Sequence, residues 1–300
     1  AILIETVRRR LEREMGDAIA RERGQRARAL RQSGAARGLA HIGVLKAMEE
    51  AGIRPDLIAG TSMGAIVGSL YAAGHTADAI LEIARAIKWR DVFDISLQIG
   101  LLKGEKLADV LALHLPQTFG ELQLPLAVTT TDMESGEQVV LTEGDLVTAV
   151  RASSCFPGAF EPVELDGRML MDGAIINNLP VEAASWLGAT RTIASNVTEP
   201  RRSEFTDPSE DGTWWERIVT TVRLERRTPI MQVLLRSTDI MQAILTDIQY
   251  TLHPADLHIR LALPGVRLES FWELEGVVAE GQRAAREALA GFTALAPAER

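Results

Sequence analysis

The sequence is poor in cysteine and in basic charge. Cys155 is its single cysteine, so no disulfide can form within the chain. Only 32 Lys and Arg stand against 41 Asp and Glu, which gives a net charge of -9. Because a nucleic-acid-binding surface needs a concentrated positive field, this balance argues against a nucleic-acid partner.

The long apolar runs that export or membrane insertion requires are also missing. No N-terminal stretch has the uninterrupted apolar core of a signal peptide, which predicts an unexported, cytoplasmic protein. Residues 57–77 lack Asp, Glu, Lys and Arg and are long enough to span a bilayer. They contain four glycines as well as Thr61, Ser62 and His75, and they are better explained as a strand, a turn and a helix.

Charge is distributed unevenly along the chain. Residues 1–31 hold nine Arg and five Asp or Glu, a net of +4, which leaves -13 for the rest. Residues 1–26 are predicted to form a basic amphipathic helix, because apolar side chains recur there at steps of three or four: Ile4, Val7, Leu11, Met15 and Ile19. Two interpretations stay open, namely peripheral contact with an anionic membrane or packing on the protein's own surface.

Residues 27–300 are expected to form a single domain in which strands and helices alternate. A weak strand at 27–30, a helix with Ile42, Leu45 and Met48 on one face, a strand at 57–59 and a helix at 65–73 give the order β-α-β-α. This order predicts a three-layer α/β/α fold with a mainly parallel central sheet. Further strands are predicted at residues 126–131, 138–141, 163–165, 168–171, 192–196 and 257–261.

A long helix is predicted to begin at Pro229. Its apolar side includes Met241, Ile244 and Ile248. We expect this side to face the core or to form a wall of a substrate pocket.

The strongest chemical signal is the G-x-S-x-G pattern at residues 60–64, which lies between a predicted strand and a predicted helix. In a nucleophile elbow the serine occupies a strained turn, and small residues two positions to each side let the strand and helix approach closely. Ser62 is therefore the candidate nucleophile, and Gly60 and Gly64 are the elbow glycines. The small residues at 33–38 precede a helix and can offer backbone N–H groups to an oxyanion.

A serine nucleophile needs a base, and the sequence offers both a carboxylate and histidines. Asp172 directly follows a predicted strand, where its carboxylate can reach an active site at the edge of the sheet. His253 and His258 come later in the chain, as a Ser-Asp-His triad requires, so this alternative stays open. Asp166 is interpreted as part of an Asp-Gly hairpin turn.

Ser153, Ser154 and Cys155 are expected to have structural rather than catalytic roles. Ser153 and Ser154 are expected to end a helix. Cys155 precedes a Phe-Pro-Gly turn and has no histidine nearby in the sequence, so it is not expected to be a nucleophile.

Three segments resemble the signature blocks of patatin-like phospholipases. Residues 33–45 read S-G-A-A-R-G-L-A-H-I-G-V-L, residues 60–64 read G-T-S-M-G, and residues 172–174 read D-G-A. Over residues 27–200 the chain is similar to the short bacterial members of this family. Residues 152–158 also resemble the catalytic domain of neuropathy target esterase.

The resemblance implies a Ser-Asp dyad without histidine, formed by Ser62 and Asp172. It implies hydrolysis of acyl esters in phospholipids or lysophospholipids, with no metal and no cofactor. A Ser-Asp-His hydrolase and a non-catalytic binding or signalling protein of the same fold are the alternatives.

The resemblance also implies an oxyanion hole formed by the backbone around Gly34, Ala35 and Ala36. Arg37 would stabilise that loop or approach the substrate phosphate. The family has glycine where this chain has Gln32, and this difference is the main support for the non-catalytic alternative.

Overall fold

The structure, a computed structural model, describes residues 2–4, 37–87, 92, 103–157, 160–197, 228–261, 263 and 273–294. The strands in these ranges are β1 (Ile2–Ile4), β2 (Ile58–Thr61), β3 (Leu126–Asp132), β4 (Gln138–Leu141), β5 (Val163–Leu165), β6 (Arg168–Asp172), β7 (Ile193–Asn196) and β8 (Leu257–Arg260). The helices are α1 (Ala40–Glu50), α2 (Met63–Ala72), α3 (Ala77–Ala86), α4 (Glu105–Ala112), α5 (Leu146–Ser153), α6 (Val181–Trp186), α7 (Thr228–Leu252) and α8 (Leu274–Ala294). Short 3₁₀ helices lie at Arg37–Leu39, Phe119–Glu121 and Gly173–Ile175.

Strand β3 is the centre of the main sheet. It pairs in parallel with β2 and antiparallel with β4 and β6, while β1 extends the sheet beyond β2 and β5 extends it beyond β6. Strands β7 and β8 form a separate parallel pair. Helices α2, α5 and α6 pack against these strands, which confirms the predicted α/β class.

The described strands form both parallel and antiparallel pairs. The β2–β3 and β7–β8 pairs are parallel, as expected for strands joined through helices. The β3–β4 and β5–β6 pairs are antiparallel because their connections are too short for a crossover. The predicted hairpin turn between β5 and β6 is confirmed, with φ of 51° at Asp166 and 74° at Gly167.

The first residues of the predicted N-terminal helix form a strand instead. Ile2 pairs with Gly60 and Ile4 with Ile58, antiparallel to β2. The prediction of a helix over residues 1–26 is therefore wrong at residues 2–4, because three consecutive apolar residues, two of them isoleucine, also suit a strand and find a partner in the sheet. Residues 5–26 and the strand predicted at 27–30 lie outside the described residues.

The apolar side of α7 is more exposed than the sequence suggests. Met241, Ile244 and Ile248 are 55%, 38% and 47% exposed, whereas Gln242 and Thr246 are buried. The expectation that these three apolar side chains face the core is wrong. The helix turns its Gln242 and Thr246 side, four residues apart, toward the protein, since its tertiary contacts and not its own composition fix its orientation.

Helices α1 and α8 approach each other so closely that their backbones are in contact. A Cβ atom at Gly43 would lie 1.9 Å from the carbonyl oxygen of Val278, and one at Gly281 would lie 2.1 Å from that of Ala40. Such contacts with backbone atoms cannot be relieved by a side-chain rotation. Glycine at both positions is therefore a condition for this helix pair.

We expect Gly281→Ala to lower the free energy of unfolding by about 1–3 kcal/mol, because the added methyl group meets backbone. Gly276→Ala is the matched control, since it lies in the same helix and a methyl group added there would have no atom within 4 Å. Because alanine favours a helix over glycine, this control should be neutral or stabilising by up to ~1 kcal/mol. Urea denaturation measures both values, and equal effects would contradict the helix contact.

Candidate active site

Ser62 occupies the turn between β2 and α2, as the elbow pattern predicts. Its backbone angles are φ 56° and ψ -128°, a positive φ that residues other than glycine rarely adopt. Its carbonyl oxygen accepts hydrogen bonds from the N–H groups of Ala65 (2.8 Å) and Ile66 (3.1 Å), which begin the helix. The strained turn is therefore followed at once by regular helix.

Gly60 permits the close approach of β2 and α2 that this turn needs. A Cβ atom at Gly60 would lie 2.7 Å from the Cα atom of Ala65 and 2.7 Å from the carbonyl oxygen of Gly64. Gly64 is buried in the first turn of α2. The structure thus places both predicted elbow glycines at the packing contact between strand and helix.

Asp172 is the last residue of β6 and is almost fully buried, with 1% of its surface exposed. Its carboxylate oxygen Oδ1 accepts a hydrogen bond from the N–H of Ala174 at 2.9 Å. The next residue must be glycine, because a Cβ atom at Gly173 would lie 2.4 Å from the carbonyl oxygen of Thr129. The Asp-Gly-Ala segment therefore fixes the carboxylate in a tight turn against β3.

The structure brings Ser62 and Asp172 together through β3. Thr129 pairs with Thr61 of β2, and the next residue, Thr130, pairs with Asp172 of β6. Both strands lie on the same side of β3, since β4 pairs with residues 128–131 on the opposite side. The carboxyl ends of β2 and β6 thus meet head to head, which places the Ser62 turn beside the Asp172 carboxylate.

Burial raises the pKa of Asp172 from 3.8 to about 6. Hydrogen bonds from the N–H of Ala174 and from the Ser62 side chain oppose this effect, since they stabilise the ionised carboxylate. The result is a carboxylate that is ionised at neutral pH and is a stronger base than an ordinary aspartate. Such a group can accept a proton from a neighbouring hydroxyl.

Ser153, for which the sequence predicts only a place at a helix end, also contacts Ser62. It is the last residue of α5, as expected, and is fully buried. Its hydroxyl oxygen accepts a hydrogen bond from the backbone N–H of Ser62 (2.8 Å) and donates one to the carbonyl oxygen of Thr129 (2.7 Å). The only signal for this contact in the sequence is its place in residues 152–158, a segment of the family resemblance.

The alternative bases have other described partners. His253 lies 3.8 Å from Glu182 of α6, and the ring of His258 packs on that of Tyr250 at 4.2 Å. Cys155 is buried, which raises the pKa of its thiol to about 12 and keeps it neutral at physiological pH. Of the three candidate bases, Asp172, His253 and His258, Asp172 is the one beside the Ser62 side chain.

The predicted oxyanion loop is described only in part. Gly34, Ala35 and Ala36 lie outside the described residues. Arg37 is buried in the 3₁₀ helix Arg37–Leu39, which packs against α1, α2 and α8. The end of the loop is thus held against the helix that follows Ser62.

The described residues contain no group of three or more His, Cys, Asp and Glu side chains arranged to hold a metal ion. Among the helices described, none combines the length and the apolar character needed to cross a membrane.

A sequence model of the patatin-like phospholipase family matches residues 32–185, more than half of the chain. The chain belongs to the patatin-like phospholipase family. The relationship predicted from the three motifs is thereby confirmed.

Relatives in this family come from bacteria and animals. An uncharacterized NTE family protein of Mycobacterium tuberculosis is 37% identical over 194 residues, which cover 62% of this chain and 54% of the relative. Human patatin-like phospholipase domain-containing protein 6 is 34% identical over 201 residues, which cover 62% of this chain but 14% of the human protein. The chain therefore spans about half of the bacterial relative and a small part of the human one.

The fold is similar to that of VipD from Legionella pneumophila, with a TM-score of 0.59. The aligned part covers 88% of this chain and 66% of VipD at 14% sequence identity. At this identity the likeness concerns the fold alone.

The raised pKa of Asp172 predicts a pH-dependent loss of stability. Between about pH 4 and 6 the folded state keeps a proton on Asp172 that the unfolded state has released, so stability falls as the pH rises through this window. Asp172→Asn keeps an acceptor for the N–H of Ala174 but cannot ionise. The free energy of unfolding of this variant, relative to that of the wild type, should therefore rise by about 2 kcal/mol from pH 4 to pH 8.

Urea denaturation of both proteins at several pH values measures this difference. A difference in the free energy of unfolding between variant and wild type that does not change with pH would contradict the raised pKa of Asp172.

Proposed function

We propose that this protein is a serine lipid-acyl hydrolase that cleaves acyl esters of phospholipids or lysophospholipids with a Ser62–Asp172 dyad. The observation that carries the proposal is the meeting of the Ser62 turn, at the end of β2, with the buried carboxylate of Asp172, at the end of β6, whose pKa is raised to about 6. Membership of the patatin-like phospholipase family supports the lipid substrate class.

In the first half-reaction the Ser62 hydroxyl attacks the ester carbonyl carbon while the Asp172 carboxylate takes its proton. The tetrahedral intermediate then collapses, the C–O bond of the ester breaks, and the protonated Asp172 gives its proton to the leaving alcohol. The acyl group remains on the Oγ atom of Ser62. The positive φ of Ser62 supports this role, because it turns the side chain out of the strand-to-helix connection.

In the second half-reaction water attacks the acyl-enzyme. Asp172 accepts a proton from the water molecule and returns it to the Ser62 oxygen as the fatty acid leaves. Backbone N–H groups of Gly34, Ala35 and Ala36 would stabilise the negative oxygen in both steps, with Arg37 as the anchor of their loop. Peripheral contact with a membrane, through which the enzyme would reach its substrate, stays a prediction.

We expect Ser62→Ala to abolish hydrolysis of a lysophospholipid and labelling by a fluorophosphonate, because both reactions use the same oxygen. Asp172→Asn should lower kcat by roughly 100-fold to 10,000-fold, which is the usual contribution of a general base. Fatty-acid release and labelling are measured on purified proteins whose folding is checked by circular dichroism.

The matched controls for this experiment are His253→Gln and His258→Gln. Wild-type rates in both variants support the dyad, whereas a loss of several orders of magnitude in either one supports a Ser-Asp-His triad. An unlabelled wild-type protein would favour a non-catalytic role for the fold.

The pH dependence of kcat/KM reports the same carboxylate. Because Asp172 must be ionised to accept a proton, kcat/KM should rise tenfold per unit below about pH 6 and level off above it. The measurement is a rate profile from pH 4.5 to 8 with a substrate that does not titrate in this range. A midpoint near 4 would show that the carboxylate is not shielded from water as the structure describes.

A further inference from the structure

The turn at the end of α5 contacts the backbone of both proposed catalytic residues. The hydroxyl of Ser153 binds the N–H of Ser62 at 2.8 Å, and two residues later the carbonyl oxygen of Cys155 accepts the N–H of Asp172 at 3.0 Å. We propose that Ser153 is a positioning residue, which holds the Ser62 turn in register with Asp172. The inference rests on the proposed function, since it assumes that Ser62 is the nucleophile.

The Ser153 hydroxyl is fixed in orientation by two hydrogen bonds. Its oxygen accepts the N–H of Ser62, so its own proton is directed to the carbonyl oxygen of Thr129 at 2.7 Å. Because the side chain is fully buried, water does not compete for these bonds. Ser153 thus connects the turn that bears Ser62 directly to the backbone of β3.

Thr129, which accepts this hydrogen bond, lies where β3 pairs with the ends of both β2 and β6. It pairs with Thr61, the residue before Ser62, and its neighbour Thr130 pairs with Asp172. The hydroxyl groups of Thr61 and Thr129 also lie 2.5 Å apart. A hydroxyl that links Ser62 to Thr129 therefore ties the nucleophile to the same strand that positions the base.

The contact also stabilises an unfavourable backbone conformation. A non-glycine residue at φ 56° is held there by its surroundings, and the N–H of Ser62 would be left without its bond if the Ser153 hydroxyl were removed. Small displacements of a reacting group can slow a reaction by a large factor. Loss of the hydroxyl is therefore expected to act on the chemical step more than on substrate binding.

The test compares Ser153→Ala with Ser154→Ala in the full chain. The neighbouring serine is the matched control, since its hydroxyl donates to the carbonyl oxygen of Val150 at 2.9 Å, within α5 and away from the elbow. For Ser153→Ala we expect kcat on a lysophospholipid to fall roughly 10-fold to 100-fold. KM should stay within about twofold, and fluorophosphonate labelling of Ser62 should slow with kcat. Ser154→Ala should keep the wild-type kcat.

A kcat of Ser153→Ala within about twofold of Ser154→Ala overturns the positioning role, whatever happens to the melting temperature. If Ser153→Ala does not fold, Ser153→Cys decides by the same criterion, because a thiol of similar volume is a weaker donor and acceptor. A wild-type protein that neither hydrolyses nor is labelled overturns the proposed function itself. An active wild type with a fully active Ser153 variant overturns the positioning role alone.

Discussion

Strand β3 is the element on which the geometry of the site depends, because its backbone pairs with two strands that arrive from opposite directions. β2 runs parallel to it and ends opposite Thr129, and β6 runs antiparallel and ends opposite Thr130. The two proposed catalytic residues come from positions 110 residues apart in the sequence. Ladder hydrogen bonds to one strand bring them together without any contribution from a flexible loop.

The site combines two features that each oppose folding. Ser62 adopts a positive φ, and Asp172 places a carboxylate where water is excluded. Hydrogen bonds offset each of them. The Ser153 hydroxyl accepts the N–H of Ser62. The Asp172 carboxylate accepts the N–H of Ala174, and the N–H of Asp172 donates to the carbonyl oxygen of Cys155. This arrangement is typical of active sites, in which strain persists because the surrounding structure fixes it.

The sequence predicted those parts of the structure that local chemistry determines. The G-x-S-x-G elbow, the Asp166–Gly167 hairpin and the placement of Asp172 at the end of a strand follow from turn geometry and short-range patterns, and the structure agrees with them. The proposed pairing of Ser62 with Asp172 was expected from the position of Asp172 after a strand and from the family resemblance. The strand order that brings the two residues together cannot be derived from one sequence.

The features that the sequence did not predict depend on tertiary contacts. Ile2–Ile4 is compatible with both helix and strand, and only the free edge of β2 selects the strand. Hydrophobicity predicts that the apolar side of α7 faces the protein, but Gln242 and Thr246 are buried instead. Tertiary contacts therefore fix the orientation of this helix. The role of Ser153 depends on a contact across 91 residues, which no local pattern encodes.

The pairing of β3 also determines where homologous chains can differ in length. Consecutive residues of β3 pair with β2 and β6, so one residue inserted between Thr129 and Thr130 would separate the two strand ends by ~3.3 Å and reverse the faces of all following side chains. The turn at residues 133–137 is exposed and lies beyond both pairings. Insertions and deletions are therefore compatible with this site at the tip of the β3–β4 hairpin and are excluded from the middle of β3.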